Sequence, residues 1–140
     1  MVKPKIIFIE GVDRTGKSSL AEAIQKATNY KHVVFDRGVI SNMVYSISKQ
    51  RYKRENMDAY EDIAKGIGDI DNHLLIYLKC SDKELERRIK ETNHEEVDFK
   101  TEKQLFELFV DQGYFHTMRA DTSKFTTEEI VEWLLEEGQI

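Results

Sequence analysis

Cysteine and proline are almost missing from this 140-residue chain, which contains one of each. The single cysteine, Cys80, cannot form an intrachain disulfide or a thiolate zinc centre. Because it ends an apolar run, we expect a buried thiol that packs as a small hydrophobic side chain. The one proline, Pro4, leaves the chain without an obvious linker. These absences favour a single domain that spans residues 1–140.

Long hydrophobic runs and an excess of positive charge are also missing. No stretch approaches the roughly 20 apolar residues of a membrane helix, and no signal-like region precedes the first apolar run. We therefore expect a cytoplasmic protein without a membrane partner. The net charge is −5 and the pI is about 5.4, so a nucleic-acid partner is not expected either. A nucleotide would have to be bound by a local positive site.

The histidines do not form a recognisable catalytic or metal-binding pattern. They are scattered along the chain, with no spacing typical of a zinc site or of a serine or cysteine triad: His32, His73, His94 and His116. A hydrolase built on a nucleophilic side chain therefore has little support. Phosphoryl transfer remains the chemistry to consider.

A phosphate-binding sequence lies near the start of the chain. The run from Lys5 to Ile9 is short, apolar and rich in β-branched residues, which predicts a strand buried on both faces at the centre of a parallel sheet. Residues Gly11 to Ser18, GVDRTGKS, then fit the pattern GxxxxGK[ST] at every fixed position. A helical pattern follows at once, with Asn29 as its expected end.

This strand, loop and helix arrangement has a specific chemistry. Glycines let successive backbone N–H groups point into one concavity, and the helix N-terminus adds positive potential for a polyphosphate. Lys17 can reach the outer phosphates, and we expect its side chain to face solvent when no ligand is bound. The Ser18 hydroxyl can ligate Mg²⁺. The predicted contacts to ATP are Gly11, Asp13, Arg14, Thr15, Gly16, Lys17, Ser18 and Ser19.

A second strand brings two charged residues to the same place. The apolar run from His32 to Phe35 ends in Asp36 and Arg37. A strand, helix and strand connection forms a right-handed crossover, so the two strands should be parallel. Ligands of open α/β sheets bind at the carboxyl ends of such strands. Asp36 and Arg37 are therefore predicted to lie beside the phosphate loop.

The remaining pattern predicts a three-layer α/β fold of the P-loop NTPase type, with a mostly parallel sheet of about four strands flanked by helices. Strands are expected at His73–Leu78 and, as a half-exposed edge, at Tyr114–Asp121. Helices are expected to begin after capping residues and to cover both faces: at Ser41, at Glu55, after Ser81, after Thr101 and after Thr126. The polar segment 91–100 is either a lid that closes over bound phosphates or a plain surface loop.

Several stretches resemble the thymidylate kinase family of P-loop nucleoside monophosphate kinases. FIEGVDRTGKSSL, from Phe8 to Leu20, is similar to the opening of that family, and FDRGVISNMVY, from Phe35 to Tyr45, is similar to its second signature. His73–Lys90 resembles the strand and helix that lead to the lid, and Asp121–Leu135 resembles the closing strand and helix. Together these stretches cover most of the chain.

The resemblance implies roles on the donor side of a kinase site. Lys17 would neutralise charge on the phosphates of ATP, and Ser18 would hold Mg²⁺ between them. Arg14 matches the members whose catalytic arginine comes from the phosphate loop; consistent with this, Asn93–Lys100 contains no arginine. Asp36 matches a carboxylate near the metal and the reacting phosphates.

The resemblance also implies an acceptor side. Asp13 would touch the acceptor sugar, and Arg37 would grip the acceptor phosphate as a further catalytic residue. Ser41 matches the serine of the second signature, and Tyr45 would lie against the sugar. These residues are the predicted substrate contacts.

Two departures from the family pattern leave the acceptor open. The family carries a long base-reading segment before the Asp-Arg pair, whereas here Asn29–His32 spans that region, and Gly38 replaces the usual aromatic residue. The first hypothesis is a kinase that moves the γ-phosphate of ATP to a (deoxy)nucleoside monophosphate, with a thymidylate-like acceptor expected. The alternatives are a kinase for a nucleoside or a polynucleotide 5′ hydroxyl, and a non-catalytic ATP-binding module. A homodimer could complete the shortened site.

Overall fold

The structure, a computed structural model, describes residues 2–92 and 99–140. Within these residues strands and helices alternate through most of the chain. The strands are β1 (Ile6–Glu10), β2 (Val33–Phe35), β3 (His73–Lys79) and β4 (Thr117–Asp121). The helices are α1 (Lys17–Ala27), α2 (Val39–Ser48), α3 (Arg54–Gly68), α4 (Asp82–Thr92), α5 (Phe99–Val110) and α6 (Thr127–Glu136).

The strands form one sheet in the order β2-β1-β3-β4, and each neighbouring pair is parallel. β1 and β3 are the inner strands, which agrees with the expected central position of the first strand. β4 lies at one edge, as predicted, and β2 at the other. The predicted α/β fold with a four-stranded sheet is confirmed, and the carboxyl ends of all described strands meet at one side of it.

Two apolar clusters hold helices to the two faces of the sheet. β3 explains this directly, because Leu74, Ile76 and Leu78 belong to one cluster while Leu75 and Tyr77 belong to the other. The first cluster packs under α1 and α6 with Leu20, Ile24, Ile130 and Leu134. The second packs under α2, α3 and α5 with Met43, Val44, Met57, Ala64 and Phe106.

Two helices begin earlier than their sequence patterns predicted. α2 begins at Val39 with Gly38 at the N-cap, so Ser41 lies in the first turn and is not the cap. α5 begins at Phe99, so Thr101 lies inside that helix. A serine hydroxyl near a helix start is a local indication of an N-cap. The Ser41 hydroxyl instead donates to Glu10 of β1, as described below.

Other local predictions are confirmed at helix starts. The backbone N–H of Glu84 donates to Ser81 Oγ at 3.2 Å ahead of α4, and Thr126 forms a complete capping box with Glu129 at α6. Of the predicted lid 91–100, the first two residues end α4 and the last two begin α5; positions 93–98 lie outside the described residues. Across the described ranges no helix is both long and apolar enough to cross a membrane.

The capping box of α6 provides a test of the fold. Thr126 Oγ1 accepts from the Glu129 N–H, and the Glu129 carboxylate accepts from the Thr126 N–H, each at 3.1 Å. We expect Thr126→Ala to lower the free energy of unfolding by about 1 kcal/mol, because it exposes an unsatisfied N–H at the helix start. Thr126→Ser should restore most of this loss. Urea unfolding measures both, with Thr127→Ala as the matched control, and an equal loss in the control would contradict the capping role.

Candidate functional site

The phosphate loop joins the end of β1 to the start of α1. Gly11 has φ 150°, and a Cβ at this position would lie 2.6 Å from the carbonyl oxygen of Leu78 on β3. Glycine is therefore required where the loop passes the neighbouring strand. Thr15 Oγ1 donates to the carbonyl oxygen of Val12 at 2.8 Å and closes the turn. The loop is held in a compact form ahead of the helix N-terminus.

Lys17 is turned into this loop, and the expectation that it faces solvent was wrong. Its Nζ donates to the carbonyl oxygen of Gly11 at 2.6 Å and lies 3.3 Å from that of Val12. The residue is 8% exposed. Burial lowers the pKa of the ammonium, and the carboxylate of Asp13, 3.7 Å away, opposes that shift. The ammonium group of Lys17 is bound by backbone carbonyl oxygens of the loop, and the sequence motif does not show that these carbonyl groups face it.

The tip of β2 faces the loop through two polar pairs. Ser18 Oγ donates to Asp36 Oδ2 at 2.8 Å, and Arg37 Nη2 donates to Asp13 Oδ1 at 3.3 Å. These contacts follow from the parallel register, in which Phe8 of β1 lies opposite Phe35, the last residue of β2. The structure thus brings Asp36 and Arg37, which follow β2, into contact with Ser18 and Asp13 at the phosphate loop, as the sequence predicted.

The Ser18 and Asp36 pair suits a hard divalent cation. Mg²⁺ prefers oxygen ligands and is usually held by one or two protein oxygens together with substrate phosphates and water. A hydroxyl and a carboxylate oxygen that already lie 2.8 Å apart, beside a phosphate-binding loop, offer that set. The residues present therefore fit Mg²⁺ held between protein and polyphosphate.

Tyr45 supports Arg37 with its ring. The guanidinium carbon of Arg37 lies 5.7 Å from the ring centre, and the ring packs edge-on against Phe106 of α5. The hydroxyl oxygen is buried and has no hydrogen-bond partner among the described residues. Burial raises the pKa of Tyr45, and the carboxylate of Asp13 adds to the shift. The ring, and not the hydroxyl, makes the contact with the predicted acceptor side.

Ser41 lies in the wall of the site rather than on its open surface. It is buried, and both its backbone N–H and its hydroxyl donate to the carboxylate of Glu10. Glu10, at the end of β1, also accepts from the Gly38 N–H at 3.1 Å. Burial raises the pKa of Glu10, and its hydrogen bonds with Ser41 oppose the shift most strongly. Sequence reasoning placed Ser41 on a substrate and did not single out Glu10.

Comparison with known proteins gives likeness in structure alone: no protein-family model and no curated protein matches the sequence. YorR from Bacillus subtilis, solved in complex with phosphorylated GDP, superposes with a TM-score of 0.76 at 20% identity over 95% of each chain. Deoxyadenosine kinase from M. mycoides with bound dCTP gives 0.67 at 17% identity, covering 96% of this chain and 100% of that one. The same enzyme with bound dATP gives 0.62 at 18% identity, over 94% and 98% of the two chains.

The chain has the P-loop kinase fold. At these identities the likeness establishes the fold and carries no residue roles. Membership of the thymidylate kinase family stays a prediction.

A cavity of about 550 Å³ lies on the side of the phosphate loop that faces α4 and the segment between β4 and α6. Sequence reasoning missed this cavity. It is lined by the loop, by α4 and by the segment between β4 and α6, including Arg14, Gly16, Ser19, Arg88, Thr122 and Lys124. Arg88 ties these parts together, because it donates to the carbonyl oxygens of Arg14 at 2.7 Å and Thr122 at 3.0 Å. Arg14 itself donates from Nε to Thr92 Oγ1 at 2.9 Å.

No local signal could have identified Arg88. It is one of several basic residues on α4, and it has a local ion pair with Glu84 at 3.0 Å. The two carbonyl oxygens that it also binds, those of Arg14 and Thr122, lie 74 and 34 positions away in the chain. Its neighbour Arg87 looks equivalent in the sequence but pairs with Glu84 and Glu91 on the surface.

This difference predicts unequal effects on stability. Arg88→Ala should lower the free energy of unfolding by about 1–3 kcal/mol, because it leaves partly buried carbonyl oxygens without donors. Arg87→Ala should cost less than about 1 kcal/mol, since its ion pairs are exposed. Urea unfolding of both variants measures the contrast. Equal losses would show that Arg88 does not hold the loop, α4 and the β4–α6 segment together.

Proposed function

We propose that this protein is a Mg²⁺-dependent phosphotransferase that moves the γ-phosphate of ATP to a (deoxy)nucleoside monophosphate. A pyrimidine deoxynucleotide such as thymidylate is the expected acceptor, on the strength of the sequence resemblance. The observation that carries the proposal is the pairing of the phosphate loop with the tip of β2, through Ser18 with Asp36 and Asp13 with Arg37. The P-loop kinase fold supports phosphoryl transfer in general.

On the donor side, the loop and the N-terminus of α1 would bind the triphosphate of ATP. Lys17 would exchange its carbonyl partners for phosphate oxygens, which are charged and therefore stronger acceptors. The cavity beside Arg88 and Thr122 adjoins the loop and has room for the rest of the donor nucleotide. Arg14 belongs to the loop and lines this cavity, from where its guanidinium would reach the phosphates.

On the acceptor side, Arg37 would bind the monophosphate. A guanidinium can bridge two phosphate oxygens, and this one is half exposed and already held over the ring of Tyr45. Asp13, its present partner, would then be released toward the acceptor sugar. Two cations, Arg14 and Arg37, are thus available for two different phosphates.

The reaction needs in-line placement more than covalent help from the protein. An acceptor phosphate oxygen attacks the γ-phosphorus, the bond from that phosphorus to the bridging oxygen breaks, and ADP leaves with the electron pair. Ser18 and Asp36 would hold Mg²⁺, which would neutralise charge on the phosphates. Lys17 and Arg14 stabilise the charge that develops on the transferred group and on the leaving oxygen.

A second candidate is a kinase that acts on a nucleoside. It is favoured by the name of one structural neighbour, deoxyadenosine kinase, and by the short connection between α1 and β2. A hydroxyl acceptor requires a general base, which a phosphate acceptor does not. Asp36 would supply it. A polynucleotide 5′ hydroxyl would need the same chemistry.

A coupled assay of purified protein with ATP, Mg²⁺ and a panel of monophosphates, nucleosides and 5′-hydroxyl oligonucleotides tests the proposal. We expect transfer to at least one monophosphate and a loss of about 100-fold or more in kcat for Lys17→Ala. Arg14→Ala should lower kcat more than ATP affinity, whereas the exposed Arg87→Ala should change neither.

The outcomes separate the candidates. Binding of ATP without transfer to any monophosphate would contradict the first proposal, and transfer only to hydroxyl compounds would establish the second. A Lys17→Ala protein that keeps its biological activity would favour a binding module without catalysis. Equal losses of kcat and ATP affinity for Arg14→Ala would mean that Arg14 only binds the donor.

Tyr45 gives a further test on the acceptor side. Tyr45→Phe keeps the ring beneath Arg37 and removes a hydroxyl without a partner in the described residues, so the acceptor KM should change less than about twofold. Tyr45→Leu removes the ring and should raise that KM by about 3- to 30-fold, the range expected for a cation–π contact. Steady-state kinetics with varied acceptor measures both. A large effect of Tyr45→Phe would instead show that the hydroxyl contacts the acceptor.

A further inference from the structure

The first turn of α2 has no cap from its own sequence. Its N-cap residue is Gly38, which has no side chain to accept the free backbone N–H groups of the turn. The carboxylate of Glu10 accepts them instead. One oxygen accepts from the Gly38 N–H at 3.1 Å and the other from the Ser41 N–H at 3.0 Å. The cap of α2 is therefore supplied by Glu10 of β1.

Glu10 joins the two halves of the candidate site. It is the last residue of β1, fully buried, and directly precedes Gly11 of the phosphate loop. Gly38, to which it is bonded, directly follows Asp36 and Arg37. The two residues proposed to hold Mg²⁺ and the acceptor phosphate thus lie in a short turn whose far end is fixed to the start of the phosphate loop.

The space around Gly38 is matched to this contact. A Cβ at this position would lie 2.9 Å from Phe8 Cδ1 and 3.2 Å from Glu10 Oε2. Any side chain here would push the turn away from the carboxylate. This gives a physical reason for glycine at the position where the thymidylate kinase family usually has an aromatic residue.

No isosteric replacement keeps all of these bonds. A glutamine has one accepting oxygen, so its amide nitrogen would face either the Gly38 or the Ser41 N–H and make no bond. An aspartate is one methylene shorter and could not reach the turn from the same backbone position. The carboxylate of a glutamate is therefore specifically required.

We propose that Glu10 is a positioning residue that sets Asp36 and Arg37 opposite the phosphate loop by capping α2 from β1. The proposal rests on the proposed function, because it assigns Glu10 a role in binding the acceptor and aligning it with the donor. It does not make Glu10 a ligand of either nucleotide. The donor loop has hydrogen bonds of its own, through Thr15 and Lys17.

The test compares Glu10→Gln with Glu22→Gln, an exposed carboxylate on α1. In Glu10→Gln we expect the acceptor KM to rise about tenfold or more and kcat to fall, because the acceptor phosphate is displaced. The Kd for ATP, measured by calorimetry, should stay within about twofold of the wild-type value. Glu22→Gln should leave all of these quantities unchanged. Gly38→Ala disturbs the same contact from the other side and serves as the second variant if Glu10→Gln folds poorly. It should likewise raise the acceptor KM and leave the Kd for ATP unchanged.

A second readout separates this proposal from the proposed function. In ¹H–¹⁵N spectra, Glu10→Gln should shift the amide resonances of Gly38 and Ser41 and the side-chain signal of Arg37, and leave Thr15 and Ser18 in place. If wild-type protein transfers phosphate to no acceptor, the proposed function fails, and these resonances still decide the role of Glu10. Unchanged Gly38 and Ser41 resonances, an unchanged acceptor KM, or equal losses of ATP and acceptor binding would overturn the positioning role.

Discussion

The parallel pairing of β1 with β2 is the constraint on which the candidate site depends. It places Phe8 opposite Phe35, and the two rings stack with centres 5.4 Å apart. β1 ends at Glu10, two residues after Phe8, and Asp36 directly follows Phe35, so both residues lie at the same end of the sheet. A slip of one residue in this register would turn every side chain of β2 to the opposite face and separate Asp36 from Ser18.

In the proposed function, local charge lets an acidic protein bind a nucleotide. The net charge is −5, so long-range attraction does not favour a polyphosphate. Close to the loop the balance differs from that of the whole chain, because the three cations Lys17, Arg14 and Arg37 are met there by three carboxylates, those of Asp13, Asp36 and the buried Glu10. In the structure each of the cations Lys17 and Arg37 has a partner that phosphate oxygens can replace, a carbonyl for one and Asp13 for the other. The partners keep both side chains in place before a ligand arrives, which lowers the entropy lost on binding.

The sequence was sufficient for the parts of the structure that depend on local pattern and on the handedness of chain connections. The phosphate loop follows from its glycines and its spacing, and the position of Asp36 and Arg37 follows from the right-handed crossover between β1 and β2. What could not be predicted depends on contacts between distant residues. Glu10 meets Ser41 across 31 positions, and Arg88 meets Arg14 across 74. The orientation of Lys17 was mispredicted for a related reason, since its partners are backbone carbonyls, which carry no signature in the side-chain sequence.

The short connection between α1 and β2 shapes what the acceptor side can recognise. β2 is an edge strand, and Phe35, directly before the Asp36 and Arg37 turn, is 46% exposed. In this region the described residues therefore provide cations and aromatic rings but few donors or acceptors matched to the edge of a particular base. A site that hydrogen-bonds the edge of a base discriminates strongly between bases, because a wrong base leaves buried polar groups unpaired. Apolar contact distinguishes similar bases only weakly. In the proposed function, a site of this composition would hold its acceptor mainly through the phosphate and through stacking on aromatic rings. Its selectivity should accordingly be stronger for the phosphate than for the base.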